Sequence, residues 1–256
     1  LQPAYLLKPD LHQSPITNAG YNLRHYYSER FKMKSFNKIV TTLAVPLILL
    51  APTSAFSHEA GDIIVRVGAT SVNPDESTTL IDTAATGALP STGAGVSNNL
   101  QLGLNLVYMV SDSLGVEVLA ATPFTHDLKA KGLSAYGFST TGLGSVDHLP
   151  PTVTLNYFLG GANSLIRPYV GVGVNYTTFF SEDLSYRAET ELGARSLDVD
   201  DSYGIAYRAG VDFVLGDHWM LNASAWKIDI DTDVSFGSAL GKVQVGAELD
   251  PWVYMI

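Results

Sequence analysis

Apolar and polar residues alternate with a period of two over much of the chain, most clearly in LQLGLNLVYMV at residues 100–110. Successive side chains of a β-strand point to opposite faces of the sheet, so this alternation predicts a strand with one apolar face. The same pattern recurs in seven further segments, at 62–70, 114–124, 152–158, 167–177, 202–213, 218–230 and from about 243 to the end. It predicts an all-β fold of eight strands.

The connections between these segments alternate between short and long. Three are short turns, at 111–113, 160–163 and 215–217. Four are long and rich in Gly, Ser, Thr and Asp, at 71–99, 125–149, 178–201 and 231–242. Short turns on one side and long loops on the other are typical of bacterial outer-membrane barrels. We therefore predict an eight-stranded antiparallel transmembrane β-barrel with long extracellular loops and short periplasmic turns.

The polarity of the two strand faces distinguishes this barrel from a water-soluble one. One face is almost uniformly apolar, whereas the other carries Gly, Asn, Thr, Arg, Asp and Glu. A soluble sandwich or lipocalin-like barrel, which is the alternative, buries its apolar face and shows the polar one to water. An apolar outer face on a closed barrel suits lipid, where unpaired backbone groups at a sheet edge are not tolerated.

The front of the chain has a different character from the rest. Residues 1–57 hold six Lys/Arg and two acidic residues, although the whole chain has a formal net charge of -10. Starting at Met33, two lysines precede a short apolar run, and small side chains then precede His58. This order predicts a secretory signal peptide at 33–57 that is cleaved before His58, because the apolar run is too short for a membrane span. Residues 1–32 precede the first Met, and we expect them to be absent from the native protein.

Composition excludes several classes of function. A net charge of -10 disfavours nucleic-acid binding, which needs a basic surface. The chain has no Cys, so it has no disulfide framework and no Cys-based metal site. We expect neither a metal nor another cofactor.

Five stretches of the sequence resemble the OmpW family of small outer-membrane porins: HEAGD at 58–62, LGVEVLAATPF at 114–124, HLPPT at 148–152, RPYVGVGVNYTTFF at 167–180 and LDPWVYM at 249–255. The resemblance extends, in order, over essentially all of 58–256. It implies an eight-stranded barrel with both termini in the periplasm, and a role in the passage of small hydrophobic molecules. Family members continue past LDPWVYM to a terminal aromatic residue. The resemblance therefore implies that the last strand is incomplete at Ile256, and we expect poor assembly of the chain as written.

The interior of an eight-stranded barrel is just wide enough to be filled by side chains. Strand parity places both apolar and polar residues inside, among them Ile64, Val107, Met109, Leu119, Met220, Trp226, Ile228, Gln101 and Asn105. Leu119 and Trp226 are the bulky candidates for a lumen constriction. An apolar stretch of lumen suits a hydrophobic solute and opposes ions. The alternative is that these side chains pack as a plug without transport.

Parity also predicts the positions of charged and aromatic side chains. Arg66, Glu117, Arg208 and Asp212 point inward, where buried charges need partners, so we predict ion pairs among them. Aromatic residues near strand ends are expected in the interfacial girdles of the membrane: Tyr108, Tyr176, Phe179, Phe180, Trp219 and Trp252.

Two further groups of polar residues are weaker signals. His126 and His148 flank the second long loop and can approach each other, but two histidines do not complete a metal site, so loop packing is favoured. Asp229, Asp231 and Asp233 alternate at the base of the last loop, where solvated acids are favoured over a loosely bound cation.

Three functions remain open on the sequence alone. The leading one is an outer-membrane channel for passive passage of small hydrophobic molecules. Its expected partners are outer-membrane lipids, hydrophobic solutes and the outer-membrane assembly machinery. The second is a structural or recognition barrel that acts through its extracellular loops. The third is a membrane-embedded enzyme, which we do not expect because no catalytic set of residues appears at recognisable spacing.

Overall fold

The computed structural model describes residues 58–216 and 219–256. The predicted upstream segment 1–32 and signal peptide 33–57 lie outside the described residues. Helix is confined in these ranges to a 3-10 turn, Leu133–Tyr136, and to α1, Tyr186–Glu191. Within the described ranges, no helix is long and apolar enough to cross a membrane.

Strands make up most of the described chain. In chain order they are β1 (Ile63–Asn73), β2 (Ser77–Thr78), β3 (Asp82–Thr83), β4 (Gly87–Ala88), β5 (Gly93–Val96), β6 (Asn99–Ser111), β7 (Leu114–Ala121), β8 (Phe124–Lys131), β9 (Gly142–Leu149), β10 (Thr152–Phe158), β11 (Ile166–Leu184), β12 (Arg195–Val199), β13 (Ser202–Gly216), β14 (Trp219–Ile228), β15 (Asp231–Ser238), β16 (Gly241–Glu248) and β17 (Trp252–Met255).

Eight of these strands form a closed antiparallel ring. The order around the ring is β1, β6, β7, β10, β11, β13, β14 and β17. The ring closes because β10 pairs with β11 and β17 pairs with both β14 and β1. The prediction of an eight-stranded antiparallel barrel is confirmed.

The two faces of the ring differ as the alternation predicted. In β6, the residues from Leu100 to Val110 that share its apolar parity are 39% or more exposed to the outside. Val107 and Met109, on the opposite parity, are fully buried inside. The same contrast holds on the other ring strands, so the barrel presents a continuous apolar outer band and a mixed interior.

The long connections are not irregular loops, which is where the structure differs most from the prediction. Beyond the ring, the far half of β11 pairs with β9, β9 pairs with β8, and β8 pairs with β5. A second extension contains the β15–β16 hairpin, with β12 on one side and β2 and β3 on the other. Strands therefore continue past the ring at what we call the long-loop end, opposite the short-turn end.

The last predicted strand, from about 243 onward, is interrupted. β16 belongs to the long-loop extension and β17 to the ring, and residues 249–251 separate them. Asp250 has a positive φ of 33°, and Pro251 has no N–H to donate to a ladder. These two residues end one strand and start the next, which alternation alone did not reveal.

Buried apolar side chains form three clusters along the barrel axis. The short-turn cluster consists of Ile64, Val107, Met109, Phe158 and Tyr169, with Met220 packed against it. The upper lumen cluster consists of Val72, Leu119, Phe124, Ala206, Trp226, Ile228, Ile230, Ala247, Leu249, Val253 and Met255. A third cluster fills the space between the strands of the long-loop extension.

Candidate solute pathway

The four charged residues predicted to face inward meet in the lumen. Arg66 donates from Nε to Oδ1 of Asp212 at 3.1 Å and from Nη2 to Oδ2 at 2.6 Å, so the pair is bidentate. Its Nη1 donates to Oε2 of Glu117 at 3.0 Å. Arg208 pairs with the other carboxylate oxygen of Glu117. All four side chains are at most 4% exposed, so the ion pairs are shielded from solvent.

Neutral groups complete this lumen network. Tyr169 accepts hydrogen bonds at its hydroxyl from Arg208 at 2.7 Å and from Asn222 at 2.8 Å. Nε2 of His58 lies 2.8 Å from Oδ2 of Asp212, and Asn156 donates to Glu117 at 3.2 Å. Sequence analysis did not single out His58, Tyr169 or the two asparagines. The sequence pattern placed Tyr169 and the two asparagines on the inward face of their strands. It could not show their hydrogen-bond partners, because these lie on other strands.

The lumen network closes the short-turn half of the barrel. An ionised side chain buried alone is strongly destabilised, so each charge here has at least one opposite charge beside it. Arg208 also lies over the ring of Trp226, with its Cζ 4.2 Å from the ring centroid. Trp226 thus separates the charges from the upper lumen cluster.

Above Trp226 the interior becomes apolar. The two predicted constriction residues, Leu119 and Trp226, both belong to the upper lumen cluster and are 3% and 0% exposed. The structure brings them into the same apolar layer, directly beyond the lumen network.

A chamber continues from this layer into the long-loop end. The cavity has a volume of about 50 Å³ and is lined almost entirely by apolar side chains from both extensions, including Val96, Leu128, Phe179, Phe236 and Val245. A second apolar cavity of about 130 Å³ lies beside it and shares Ala94, Leu143, Phe236 and Val245 with its wall. Sequence analysis missed both cavities, because they form only where separate long connections pack together.

His126 and His148 also line the chamber, and they are in direct contact. Their Nε2 atoms are 2.9 Å apart, and the side chains are 3% and 5% exposed. Burial lowers the pKa of His126, and burial together with the neighbouring His126 lowers the pKa of His148 to about 3. Both rings are therefore neutral near pH 7. They hold the β8–β9 hairpin together, as the predicted packing role requires.

The barrel wall has an interruption at the level of these histidines. Pairing between β7 and β10 ends at Thr152, and pairing resumes between β8 and β9 at His148. The intervening segments are 120–123 and 149–151, and they hold Pro123, Pro150 and Pro151. No backbone hydrogen bond joins residues 120–123 to residues 149–151, and proline cannot donate to a ladder. Pro150 and Pro151 directly precede Thr152, the first residue of β10, and Pro123 directly precedes Phe124, the first residue of β8.

The acidic residues at the base of the last loop only partly follow the prediction. Asp229 and Asp231 come together with Asp250, which the sequence did not suggest, while Asp233 lies outside the group. Partial burial raises the pKa of Asp231, and the nearby carboxylates of Asp229, Glu248 and Asp250 raise it further. The group is mostly exposed, as expected of a solvated acidic rim.

The predicted interfacial aromatics divide into two sets. Tyr108, Trp219 and Trp252 are 43% or more exposed on the outer face, while Tyr176 and Phe180 are half-buried. Phe179 differs from the prediction, because it packs on buried clusters, lines the chamber and makes a tilted contact with His148, with the ring centroids 5.7 Å apart. Phe179 is on the inward face of β11, whereas Tyr176 and Phe180 are on the outward face. The prediction grouped Phe179 and Phe180 because they are neighbours in sequence, although successive residues of a strand face opposite sides.

Comparisons with known proteins agree with this architecture. The sequence model of the OmpW family matches residues 59–256. Outer membrane protein W of Escherichia coli K12 is 40% identical over 219 residues, covering 85% of this chain and 96% of that protein. Outer membrane protein W of Vibrio cholerae is 42% identical, covering 82% and 93%. The crystal structure of outer membrane protein OprG from Pseudomonas aeruginosa superposes with a TM-score of 0.74 at 41% identity, covering 79% and 96%.

The closed ring, its apolar outer band and these relatives define a small β-barrel of the bacterial outer membrane. The chain belongs to the OmpW family. Its lipid-facing strands place it in direct contact with the outer-membrane bilayer, and the relatives compared here are outer-membrane barrels as well.

Proposed function

We propose that the protein is a passive channel that admits small hydrophobic molecules through the outer membrane. The observation that carries this proposal is the polarity profile of the interior. Apolar cavities at the long-loop end, the second of which has Glu191 in its wall, adjoin an apolar layer at Leu119 and Trp226, and the buried ion pairs lie below that layer. A hydrophobic solute is stabilised by leaving water for such a chamber, whereas an ion loses its hydration without compensation.

The lumen network makes a straight path to the short-turn end unfavourable. Its residues are buried and tied to one another, and opening a path would separate bidentate ion pairs in a low-dielectric interior. The interrupted wall between β7 and β10 offers an exit at chamber level instead. A solute that leaves there enters the lipid directly. In this route, Leu119 and Trp226 pack below the chamber wall, in the same cluster as the wall residues Val72 and Leu249, and direct the solute sideways.

The proposal is tested by uptake of a fluorescent hydrophobic probe, N-phenylnaphthylamine, into vesicles with a lipopolysaccharide outer leaflet. Ala94→Phe fills the wall shared by the two cavities. Ala209→Phe is the matched control, because Ala209 is exposed on the outer face of β13, away from the break in the wall. Wild-type protein and Ala209→Phe should speed uptake equally, and Ala94→Phe should return it towards the rate of protein-free vesicles.

Equal uptake with and without wild-type protein would reject the channel. That result would favour the alternative in which the ordered long-loop extensions act in recognition. Uptake that is unaffected by Ala94→Phe would reject the chamber as the route.

A further inference from the structure

The contact between His126 and His148 has a fixed hydrogen-bond direction. Nδ1 of His126 is bonded to the carbonyl oxygen of Ser97, which can only accept, so this nitrogen carries a proton. A neutral imidazole has a single N–H, so Nε2 of His126 is an acceptor. His148 must therefore donate from its own Nε2 across the 2.9 Å contact.

This arrangement leaves Nδ1 of His148 as an unprotonated acceptor. The lowered pKa of both rings keeps them neutral, so the assignment holds near pH 7. Within residues 58–216 and 219–256, Nδ1 of His148 is buried and has no hydrogen-bond partner. An acceptor in this state is destabilising unless something occupies it.

The chamber wall supplies no donor for this nitrogen. Apart from the two histidines, the polar side chains that line the chamber are Thr177 and Thr232. The hydroxyl of Thr177 donates to Oδ1 of Asn175 at 2.8 Å, and that of Thr232 donates to the carbonyl of Asp200 at 2.5 Å. Each hydroxyl has one hydrogen to donate, and both hydrogens are used in these bonds, so neither threonine can donate to His148.

The orientation of the His148 ring is also fixed by its neighbours. Its centroid lies 5.4 Å from that of Phe124, in a stacked arrangement, and 5.7 Å from that of Phe179. These contacts and the bond to His126 prevent the ring from turning its free nitrogen towards another protein group. The unpaired acceptor therefore belongs to a ring that is held in place in the wall of the apolar chamber.

We propose that His148 selects, among small hydrophobic solutes, those that carry one hydrogen-bond donor, such as an aliphatic alcohol or a phenol. This inference rests on the proposed channel function and names the class of solute within it. The solute O–H donates to Nδ1 of His148, and its apolar body contacts side chains such as Leu128 and Val146. A hydrocarbon or an ether leaves the acceptor unpaired and binds less well.

The test compares 2-naphthol with 2-methoxynaphthalene, which has a similar aromatic body but no donor. Binding of each probe is measured by fluorescence titration at pH 7 on the full chain refolded into lipid nanodiscs. The double variant His126→Phe/His148→Phe removes the acceptor without leaving its partner unpaired, and it retains aromatic rings at both positions. The ratio of naphthol to ether affinity should be about three- to tenfold larger in wild type than in the variant.

A ratio that is equal in the two proteins would overturn the inference while leaving the channel intact, provided that both probes bind. Absence of binding by either probe to wild type would overturn both proposals. If the double variant does not fold, ring ¹⁵N spectra of wild type decide. Naphthol should shift the Nδ1 resonance of His148 and the ether should not. An Nδ1 already hydrogen-bonded to water before either probe is added, and unmoved by naphthol, would contradict the proposal.

Discussion

The two halves of the barrel interior are filled by side chains of opposite polarity. In the short-turn half, Arg66, Glu117, Arg208 and Asp212 fill the lumen with paired charges. In the long-loop half, the lumen and its extension are lined by aliphatic and aromatic side chains around open cavities. The first half is held by directional ion pairs and hydrogen bonds, whereas the second is held by non-directional apolar contacts and leaves free volume.

This difference assigns separate tasks to the two halves. Bidentate ion pairs need defined geometry and connect strands that are distant in sequence, as Arg66 on β1 and Asp212 on β13 are. Apolar contacts tolerate rearrangement, so a chamber made of them can admit molecules of varied shape. The comparison predicts that damage to the charged half affects stability first, and damage to the apolar half affects transport first.

The largest effect is expected from Asp212→Ala. The substitution leaves Arg66 buried without its bidentate partner and also removes the acceptor of His58. Breaking a buried pair in this way costs about 3–5 kcal/mol of folding stability. Urea unfolding of the refolded barrel in lipid vesicles measures it, with Asp198→Ala on the exposed side of β12 as the control. Similar unfolding midpoints for the two variants would contradict a stabilising role for the lumen network.

Trp226→Ala tests the boundary between the halves. Trp226 is fully buried, with Arg208 on one side and the upper lumen cluster on the other. Its truncation should cost about 3 kcal/mol of folding stability, because a large side chain is replaced by a cavity. In the proposed route the solute leaves the barrel above Trp226, so uptake of a hydrophobic probe should be unchanged in the same variant. Raised uptake would contradict this route and make Trp226 a constriction.

The alternation of apolar and polar residues correctly predicted the ring strands and their two faces, and the reason is physical. A ring strand has a lipid face and a lumen face, so parity alone placed Leu100 outside and Val107 inside. It failed at residues 249–251, because a positive φ at Asp250 is a backbone property that hydrophobic pattern does not encode. It also failed to show that the long connections are strands, since these pair with one another beyond the ring.

The sequence predicted a residue of the candidate site only where the pattern of a single strand determines its position. Inward parity found Arg66, Glu117, Arg208 and Asp212, but not which oxygen each arginine binds. The chamber depends on packing between β8, β9 and the β15–β16 hairpin, whose register the sequence does not give. Phe179 shows the same limit, because its interior position follows from how far β11 continues past the ring.

A smaller effect is expected from pH, and it belongs to the apolar half. The folded pKa of His148, about 3, lies below its ordinary value of 6.5, and that of His126 is also lowered. The unfolded chain therefore binds more protons, so this contribution to stability is complete above pH 6.5 and is lost as pH falls towards 3. Between pH 7.5 and 5 the loss should be about 2 kcal/mol in urea unfolding. His126→Phe/His148→Phe should show a flatter dependence, and an equally steep one would contradict the assignment.

The smallest effect on stability, and the sharpest test of the exit, comes from the proline-containing break in the wall. Pro150→Thr/Pro151→Thr restores two N–H donors at the break. The carbonyl of Pro151 accepts from Tyr176 on β11, so the N–H at residue 150 is the one that faces β7 and can extend its pairing with β10. Stability should change by no more than about 1 kcal/mol, because the residues lie outside the ring ladder. Probe uptake should fall severalfold if the solute leaves through this break. Pro168→Thr, on β11 at the short-turn end, is the matched control and should leave uptake unchanged. An unaltered rate in the double variant would place the exit elsewhere and would require the lumen network itself to open.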